Sequence, residues 1–371
     1  MITFIALIFY IICFAIVVLY IVFFRFRLVF LKRNREKLSH SKLPPVSVIV
    51  CAKNEEKNLK QNLPLILQQD YPDFEVIVVD DNSTDETYYL LKVMQHDYPH
   101  LHVIRLNENV NFFRGKKFPL SIGIREARNE HLLLTDADCI PLTKNWVRTM
   151  AENFTKNKEI VLGYGKHKQQ KGFLNSLIRF ETLYTAMQYF SFALAGIAYM
   201  GVGRNMAYKK QTFTKQKGFS KHYNLMSGDD DLFVNSAATK NNVAIEINYD
   251  SFTISEPKQN WKSWWKQKRR HLTTGVFYKN KHKVLLSLYP MSMVGFYASF
   301  VVAVQDINNF YFVFSLLIVM LVLNILVYKN IAERFSEKKL FIFSPLFELM
   351  VFLFHGIILI SNRFSKQGKW K

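Results

Sequence analysis

Apolar residues are concentrated at the two ends of the chain, while short apolar runs alternate with amphipathic segments between them. Residues 1–24 contain no charged side chain, and this uncharged stretch is long enough for a helix that crosses a bilayer. Further apolar stretches occupy residues 284–305, 309–328 and 341–361. A cleaved signal peptide would have a basic start and a shorter apolar core. We therefore expect residues 1–24 to be retained as an N-terminal transmembrane anchor.

Basic residues next to the apolar stretches predict how the chain is inserted. Those behind the first stretch are Arg25, Arg27, Lys32, Arg33, Arg35 and Lys37, against a single Glu36. The positive-inside rule places such a cluster in the cytoplasm, with the N-terminus outside. Residues 284–305 and 309–328 are joined by a short turn and predict a helical hairpin. One crossing by residues 341–361 would put the basic C-terminal residues outside, so a re-entrant or interfacial hairpin broken near Pro345 is the alternative.

Strand and helix signals alternate between residues 44 and 140. Apolar runs at 46–51, 74–79, 101–106 and 131–135 predict strands, and the segments at 55–69, after 85, and at 117–128 predict helices. Strands separated by helices indicate a parallel, doubly wound α/β sheet with right-handed crossovers. Ligand sites in such sheets lie at the carboxyl ends of the strands.

Two carboxylates, Asp136 and Asp138, stand at the carboxyl end of the strand at 131–135. They suit a hard divalent cation, Mg²⁺ or Mn²⁺, which shares its oxygen ligands with substrate phosphates. A solvated turn is the alternative for two acids in this position. The net charge of +20 does not indicate nucleic acid, because the basic residues crowd beside apolar stretches, where anionic lipids attract them. Three cysteines without metal-ligand spacing predict no disulfide.

Four segments of this region resemble, in order, the nucleotide-binding motifs of the membrane-bound inverting glycosyltransferases of family 2, which include hyaluronan- and cellulose-synthase-like enzymes. They are VSVIVCAKNEEKNL at 46–59, VVDDNSTDET at 78–87, GKKFPLSIG at 115–123 and LLLTDADC at 132–139. The resemblance covers roughly residues 44–275. It implies a GT-A fold, a Rossmann-like α/β domain with a mostly parallel sheet, flanked by transmembrane helices.

We therefore divide the chain into five segments. They are a transmembrane anchor at 1–24, a basic juxtamembrane linker at 25–43, a cytoplasmic GT-A glycosyltransferase domain at 44–257, an amphipathic interfacial segment at 258–280, and a C-terminal membrane region with two to three spans at 281–371. The apolar segment 173–198 contains Arg179 and Glu181 and predicts a buried or interfacial helix near the acceptor rather than a crossing.

The resemblance also implies which residues bind the nucleotide-sugar donor. The residues implied are Ala52, Asn54, Glu55, Asp80, Asp81, Lys116, Asp136, Gln267 and Arg270. Asp80 or Asp81 would accept the imide hydrogen of uracil, with a helix-capping turn as the alternative. Lys116, with Lys117 as the fallback, would lie near the diphosphate, which a cation suits. Asp138 would ligate the metal, and Asp136 would hold the ribose or help to position the diphosphate and metal.

The segment Ser227-Gly228-Asp229-Asp230-Asp231-Leu232 resembles the motif that carries the general base in these enzymes. By that alignment Asp230 is the base, and Asp229 replaces it if the register slips by one. Adjacent carboxylates raise the pKa of at least one of them, which suits proton abstraction, whereas a helix N-terminus opposes that rise. Simple N-terminal capping is the alternative.

Acceptor contacts are implied for Gly203, Arg204, Asn205 and His271. The first three belong to the loop GVGRNMAY at 201–208, for which an ordinary turn entering a strand is the alternative. Gln267, Arg270 and His271 resemble a Gln-X-X-Arg-Trp motif, with His271 in place of the tryptophan. The histidine argues against stacking of an acceptor sugar at position 271, and a processive synthase is less favoured than single transfer. The tryptophans and basic residues of segment 261–271 also suit a membrane interface.

The sequence thus predicts an integral membrane enzyme with a cytoplasmic catalytic domain. Such an enzyme would transfer a sugar with inversion from a nucleotide-diphosphate sugar, a UDP-sugar first, to a lipid or lipid-linked glycan in the membrane, using Mg²⁺ or Mn²⁺. A processive polysaccharide synthase of the same family is the main alternative. A nucleotidyltransferase and a non-catalytic membrane scaffold are the others, and no nucleic-acid partner is expected.

Overall fold

The computed structural model describes residues 2–31, 43–106 and 115–364, with side chains up to residue 362. Several basic residues that sequence analysis assigns to the membrane surface therefore lie outside the described part of the chain. They are Lys32, Arg33, Arg35 and Lys37 near the N-terminus and Lys366, Lys369 and Lys371 at the C-terminus.

A seven-stranded sheet forms the centre of the domain between the membrane helices. The strands of the protein are β1 (Val46–Ala52), β2 (Phe74–Asp81), β3 (Leu101–Leu106), β4 (His131–Asp136), β5 (Cys139–Pro141), β6 (Ile160–Leu162), β7 (Gly165–His167), β8 (Met206–Lys209), β9 (Val243–Ile245) and β10 (Thr253–Ser255). The order in this sheet is β3-β2-β1-β4-β8-β6-β9, and β5-β10-β7 form a second sheet. The strands β3, β2, β1 and β4 are parallel, as predicted. β8 pairs antiparallel with β4 and β6, which no sequence pattern indicates.

The β1 strand is buried on both faces because its residues alternate between two hydrophobic cores. Val46, Val48 and Val50 belong to one core, and Ile49 belongs to the other. Full burial of each such side chain stabilises the fold by roughly 1.5–3 kcal/mol. This two-sided burial explains why the strands read as continuous apolar runs in the sequence.

Helices cover both faces of the sheet and form the membrane region. They are α1 (Ile2–Tyr20), α2 (Phe26–Val29), α3 (Glu56–Leu67), α4 (Thr87–Asp97), α5 (Lys117–Glu126), α6 (Trp146–Ala151), α7 (Phe173–Leu194), α8 (Lys210–Lys215), α9 (Asp231–Ala237), α10 (Trp261–His271), α11 (Asn280–Ala303), α12 (Phe310–Arg334) and α13 (Ser344–Phe364). A π-helical turn, Ile21–Arg25, joins α1 to α2. A Cβ at Gly123 would lie 2.8 Å from Ile49 Cγ2, so this glycine lets α5 approach β1 closely.

Four helical segments of the described chain are long and apolar enough to cross a membrane. They are Ile2–Val29, Asn280–Ala303, Phe310–Arg334 and Phe341–Asn362. α11 and α12 form the predicted hairpin, joined by residues 304–309. α1 runs antiparallel to α11, since Tyr10 stacks on Phe296 and Tyr20 contacts Tyr289. The hairpin broken near Pro345 is wrong, because Pro345 lies in the first turn of an uninterrupted α13, where its missing N–H leaves no helical hydrogen bond unmade.

Arg25 does not belong to a basic membrane-surface cluster, contrary to the sequence expectation. Its side chain is 1% exposed, and its guanidinium donates to Glu348 Oε1 at 2.8 Å and to Asn324 Oδ1 at 3.2 Å. The guanidinium also lies 4.0 Å from the centre of the Tyr289 ring. The charge is buried because a carboxylate more than 300 residues away in the sequence neutralises it.

Candidate active site

The carboxyl end of β4 carries the two carboxylates that sequence analysis assigns to a metal. Ligand atoms of Asp136, Asp138 and Cys139 lie within 4.8 Å of one another. The Cys139 thiol donates to Asp138 Oδ1 at 3.5 Å, and burial raises the pKa of Cys139 well above its ordinary value. The thiol therefore stays protonated and is a poor ligand for a hard cation. The two carboxylates form the oxygen donor set that fits Mg²⁺ or Mn²⁺.

The two carboxyl groups differ in their electrostatic surroundings. Burial by itself would raise the pKa of Asp136, but its ion pair with Lys116, together with the charges of Arg204 and Arg270, holds that pKa below its ordinary value. Burial and the neighbouring Asp136 charge raise the pKa of Asp138. Asp138 therefore has more to gain from an added cation than Asp136, which already has one beside it.

Lys116 and Lys117 have different roles in the structure. Lys116 forms its ion pair with Asp136 at the end of β4. Lys117 is 3% exposed, and its ammonium donates to three backbone carbonyl oxygens. These acceptors are His222 O at 2.6 Å, Leu225 O at 2.9 Å and Ser227 O at 2.7 Å. Lys117 thus tethers the loop before the acidic motif to α5, and of these two lysines Lys116 is the one that lies beside the β4 carboxylates.

Asp230 is held at the N-terminus of α9 by two backbone amides. Its Oδ2 accepts from Gly203 N at 2.8 Å, and its Oδ1 accepts from Asp231 N at 2.7 Å. Burial, together with the charges of Asp229 and Asp231, raises the pKa of Asp230 to about 8 despite these two bonds. The side chain therefore caps the helix, as the alternative interpretation expects, and also has the proton affinity of a general base near neutral pH.

The third carboxylate of the motif, Asp231, is committed to the segment that leads into α11. Its Oδ2 accepts from Thr274 Oγ1 and from Tyr278 OH, the latter at 2.7 Å. One turn later, Asn235 accepts from Lys279 N at 3.1 Å. No local sequence pattern relates Thr274 and Tyr278 to an acidic motif more than 40 residues earlier, so only the structure shows these two contacts.

The residues implied for the nucleoside lie at the carboxyl ends of β1 and β2. Asp80 is fully buried, its Oδ1 accepts from Ser83 N at 3.1 Å, and its Oδ2 lies 4.0 Å from Arg105 Nε. Asp81 Oδ2 lies 3.5 Å from Lys53 Nζ. These contacts fit the capping turn, which was the alternative interpretation of the pair.

Asn54 and its neighbours complete this edge of the sheet. Asn54 has a positive φ of 54° and accepts from Thr84 N at 2.8 Å, so the loops after β1 and β2 are bonded to each other. Glu55 Oε2 accepts from Asn58 Nδ2 at 2.5 Å. Ala52 is 2% exposed at the end of β1 and packs in the hydrophobic core.

Helix α10 carries Gln267, Arg270 and His271. The Arg270 charge lowers the pKa of Asp136 after the larger effects of burial and Lys116, which places Arg270 on the side of the β4 carboxylates. Arg270 Nη2 lies 3.4 Å from His271 Nε2, and Gln267 is half-buried on the same helix. The structure therefore brings the end of α10 to the site around β4.

The residues implied for the acceptor fall into different environments. Gly203 contacts Asp230 through its amide. Arg204 donates to Gly165 O at 2.7 and 3.0 Å, and a Cβ at Gly165 would lie 2.4 Å from Arg204 Nε. Because the Arg204 charge acts on Asp136 and Asp138, this side chain lies on the side of the carboxylates.

Asn205 does not fit its expected role in acceptor binding. Its side chain is fully buried, accepts from Trp146 Nε1 at 3.0 Å, and donates to Tyr164 O at 2.9 Å and Ser251 O at 2.7 Å. The amide is thus enclosed by protein and joins three segments. The alternative interpretation, a turn that enters a strand, describes Asn205 correctly.

Comparison with known proteins identifies the domain. Residues 47–216 match the sequence model described as Glycosyl transferase family 2. A probable glycosyltransferase, YdaM, of Bacillus subtilis is 25% identical over 242 residues, which are 62% of this chain and 54% of that protein. An uncharacterised glycosyltransferase of Haemophilus influenzae is 31% identical over 117 residues, which are 32% of this chain and 35% of that protein. The matches thus span about a third to a half of these relatives.

A solved structure extends the similarity to nearly the whole chain. The mannosyltransferase PcManGT from Pyrobaculum calidifontis, in complex with GDP-Man and Mn²⁺, superposes with a TM-score of 0.60 at 19% identity. The superposition covers 94% of this chain and 99% of that one. The chain therefore contains a family 2 glycosyltransferase domain with the GT-A fold, as the four sequence motifs predict.

Proposed function

We propose that the protein transfers a sugar, with inversion, from a nucleotide-diphosphate sugar to a lipid or lipid-linked glycan acceptor in the membrane. The observation that carries this proposal is the meeting of two acidic motifs around Lys116. Lys116 pairs with Asp136, and the charge of Asp229 also acts on Lys116. Lys117, the next residue, holds the loop before Asp229 through Ser227 O. The N-terminal end of α5 therefore contacts both the proposed donor site and the loop that carries the proposed proton acceptor.

The proposed donor site combines carboxylates for a metal with cations for a diphosphate. Asp138, with Asp136, would hold Mg²⁺ or Mn²⁺, which when bound neutralises charge on the diphosphate. Lys116 and Arg270 would hold the phosphate oxygens from the protein side, since both act on Asp136. Arg204 lies near the same carboxylates, so we reassign it from the acceptor to the diphosphate.

Asp230 is the proposed general base. Its raised pKa lets it take the proton of the acceptor hydroxyl while that oxygen attacks the anomeric carbon from the face opposite the diphosphate. One displacement then converts an α-linked donor into a β-linked product. Asp229 is the alternative base if the acceptor approaches from the side of Lys116.

The nucleobase of the donor and the class of acceptor are inferred from the strand ends and the membrane helices. We infer a UDP-sugar, because the Asp80 and Asp81 carboxylates lie at the nucleoside end of the site. The structural neighbour is in complex with GDP-Man, so GDP-sugars belong in the same test. The membrane helices support an amphiphilic acceptor and an integral membrane protein, and Arg27 and the basic residues after it favour a cytoplasmic catalytic domain.

The experiment that tests this proposal is nucleoside-diphosphate release by the purified full chain in detergent. A panel of UDP- and GDP-sugars is incubated with Mg²⁺, Mn²⁺ or chelator, and the Asp230→Asn variant is the control. We expect release from one donor, which is lost with chelator and in the variant. Release of sugar 1-phosphate without free nucleoside diphosphate would instead identify a nucleotidyltransferase, which transfers the nucleotide portion of the donor.

A negative result remains interpretable through binding. Calorimetry with the same nucleotides measures whether the site is formed at all. Binding without release would indicate strict dependence on the acceptor, to be tested by adding membrane lipid extract. Absence of both binding and release would contradict the proposed function and favour a non-catalytic scaffold.

A further inference from the structure

Helix α13 has a polar face whose side chains bond to other segments of the protein. Glu348, His355 and Asn362 recur every seven residues and so lie on one side of the helix. Glu348 accepts from Arg25, His355 Nε2 lies 2.9 Å from Glu181 Oε1, and the Asn362 amide exchanges two hydrogen bonds with Arg269, at 3.0 and 3.1 Å. These partners belong to the turn after α1, to α7 and to α10.

Both ends of α13 contact helices on the side of the sheet domain, α7 near the start and α10 at the end. In the link between α12 and α13, Glu337 forms ion pairs with Arg179 of α7 and with Lys166 of β7. Near the start of α13, Phe347 contacts Phe173 and Phe180 of α7. At the other end, Asn362 is bonded to Arg269 of α10. A helix of this length, about 32 Å, would reach across a bilayer and leave its two ends on opposite sides. The observed contacts hold both ends on one side.

The second half of α13 runs beside α10 in the same direction. Phe354 contacts Trp261 with ring centres 6.0 Å apart, and eight residues further along each helix Asn362 is bonded to Arg269. α10 ends at the candidate active site, next to Arg270. The second half of α13 therefore runs along the sheet domain towards that site and does not leave it for the membrane.

The opposite face of α13 is apolar and exposed over much of its length. Leu346, Leu353, Ile357 and Ile360, called here the lipid-facing stripe, are 55%, 53%, 52% and 63% exposed. At 100° per residue these four positions lie roughly opposite the polar face. The neighbouring Trp261 of α10 is 45% exposed, and indole rings favour the headgroup level of a membrane.

We propose that α13 lies in the plane of the membrane surface, with the lipid-facing stripe inserted into the leaflet on the side of the sheet domain. The described chain then crosses the bilayer three times, through α1 with α2, α11 and α12. The end of α13 at Asn362 then lies on the same side of the membrane as the sheet domain. The partner of this surface is the boundary between headgroups and acyl chains.

Depth measurements in liposomes distinguish an in-plane helix from a crossing one. Spin labels are attached to Leu346→Cys, Leu353→Cys and Ile360→Cys variants of the full chain, and the signal of the unmodified chain is subtracted. Ile318→Cys on α12 is the matched control, because Ile318 is 48% exposed on a proposed span. Accessibility to oxygen and to a water-soluble nickel complex gives the depth of each label.

We expect the labels at 346 and 360 to lie at one shallow depth, although about 21 Å of helix separates them. The label at 353 should match them, and the label at 318 should lie deeper. A label at 353 as deep as that at 318, with shallower labels on either side, would overturn the proposal.

The side of the C-terminus provides an independent readout. Single Lys369→Cys, Lys57→Cys and Asn308→Cys variants are treated in sealed vesicles with a maleimide that does not cross membranes. Lys57 is exposed on the sheet domain, and Asn308 is in the turn between α11 and α12. We expect positions 369 and 57 to react in the same vesicle orientation and 308 in the other. Reaction of 369 together with 308 would show that α13 crosses.

Discussion

At the residue scale, the carboxyl group of Asp230 makes a prediction about pH. Its pKa of about 8 lies above the ordinary value of 3.8, so the group is mostly protonated at pH 7 and gains its basic form as the pH rises. We expect the acidic limb of the pH profile of kcat/KM to have a midpoint near 8. The same raised pKa means that ionisation of Asp230 opposes folding, so stability contributed here declines as the pH rises from about 4 through 8.

Two variants separate the roles of the neighbouring acids. Asp230→Asn should lower kcat by about 10²- to 10⁴-fold, the usual contribution of a general base, with donor affinity retained. Asp229→Asn should keep activity and move the acidic limb to lower pH, because the charge of Asp229 raises the pKa of Asp230. If Asp229→Asn abolishes turnover while Asp230→Asn does not, the base is Asp229.

Asp138 makes a prediction about the metal. Asp138→Ala should remove the Mn²⁺-dependent part of donor binding, because the remaining Asp136 is already paired with Lys116. Calorimetry of the nucleotide sugar with and without Mn²⁺ measures this difference. Asp97→Asn is the matched control, since its side chain is 64% exposed on α4. Equal metal dependence in Asp138→Ala and in the unmodified chain would exclude Asp138 as a ligand.

Asn205 makes a prediction about stability instead of binding. Asn205→Ala leaves Trp146 Nε1, Tyr164 O and Ser251 O without their partner in the protein interior. Each unsatisfied buried group costs about 1–3 kcal/mol, so thermal unfolding should show a loss of at least about 2 kcal/mol. The acceptor KM of the folded fraction should be unchanged, and Asn241→Ala on the surface should be neutral. A raised acceptor KM with normal stability would restore the acceptor role.

At the element scale, Glu181 positions α10. Its carboxylate accepts from Lys268 at 2.8 Å and from Trp264 at 3.3 Å, both on α10, and it also contacts His355 of α13. Burial alone would raise the pKa of Glu181, but Lys268 and His355 hold that pKa at about 2. Because α10 also carries Arg270, the position of the proposed diphosphate contact depends on a carboxylate in α7.

Substitution of Glu181 should therefore affect donor binding more than chemistry. Glu181→Ala should raise the donor KM by about tenfold, roughly the worth of one charged hydrogen bond, with a smaller change in kcat. Glu181→Gln should recover part of the loss, since its amide oxygen can still accept from Trp264. Glu256→Gln breaks an exposed ion pair with Lys168 and is the control. Equal donor KM in all three variants would exclude the positioning role.

At the scale of the whole molecule, the pair Arg25 and Glu348 joins the turn after α1 to α13. Glu348 also accepts from Tyr328 at 2.7 Å and from Tyr289 at 3.1 Å, so four segments meet at one carboxylate. Removing one partner of a buried pair leaves an uncompensated charge, whereas replacing both with apolar groups is often neutral.

A double-mutant cycle tests this connection. Arg25→Met alone should destabilise the detergent-solubilised protein by about 3–5 kcal/mol, and Arg25→Met with Glu348→Met should recover most of that loss. Unfolding by heat or denaturant measures both. Arg125→Met, at a side chain that is 80% exposed, should change stability by less than about 0.5 kcal/mol. Additive losses in the double variant would show that the two charges do not interact.

The sequence by itself determined the elements whose signals are local. Parallel strands covered on both faces are continuous apolar runs in the sequence, so β1, β2 and β4 and the carboxylates at the end of β4 were predictable from pattern alone. The motifs at the strand ends indicated the family for the same reason, since a nucleotide site in such a sheet is built from short segments at one edge.

The tertiary structure alone decided which charges are buried and what they contact. The sequence predicts that Arg25 lies at the membrane surface and that Asn205 contacts a ligand, yet both side chains are enclosed by partners distant in sequence. Contacts distant in sequence also decide three further features. They are the antiparallel insertion of β8, the attachment of Asp231 to Thr274 and Tyr278, and the course of α13 along α10. Hydropathy gives the length of an apolar helix, but its direction is set by the long-range polar contacts at its ends.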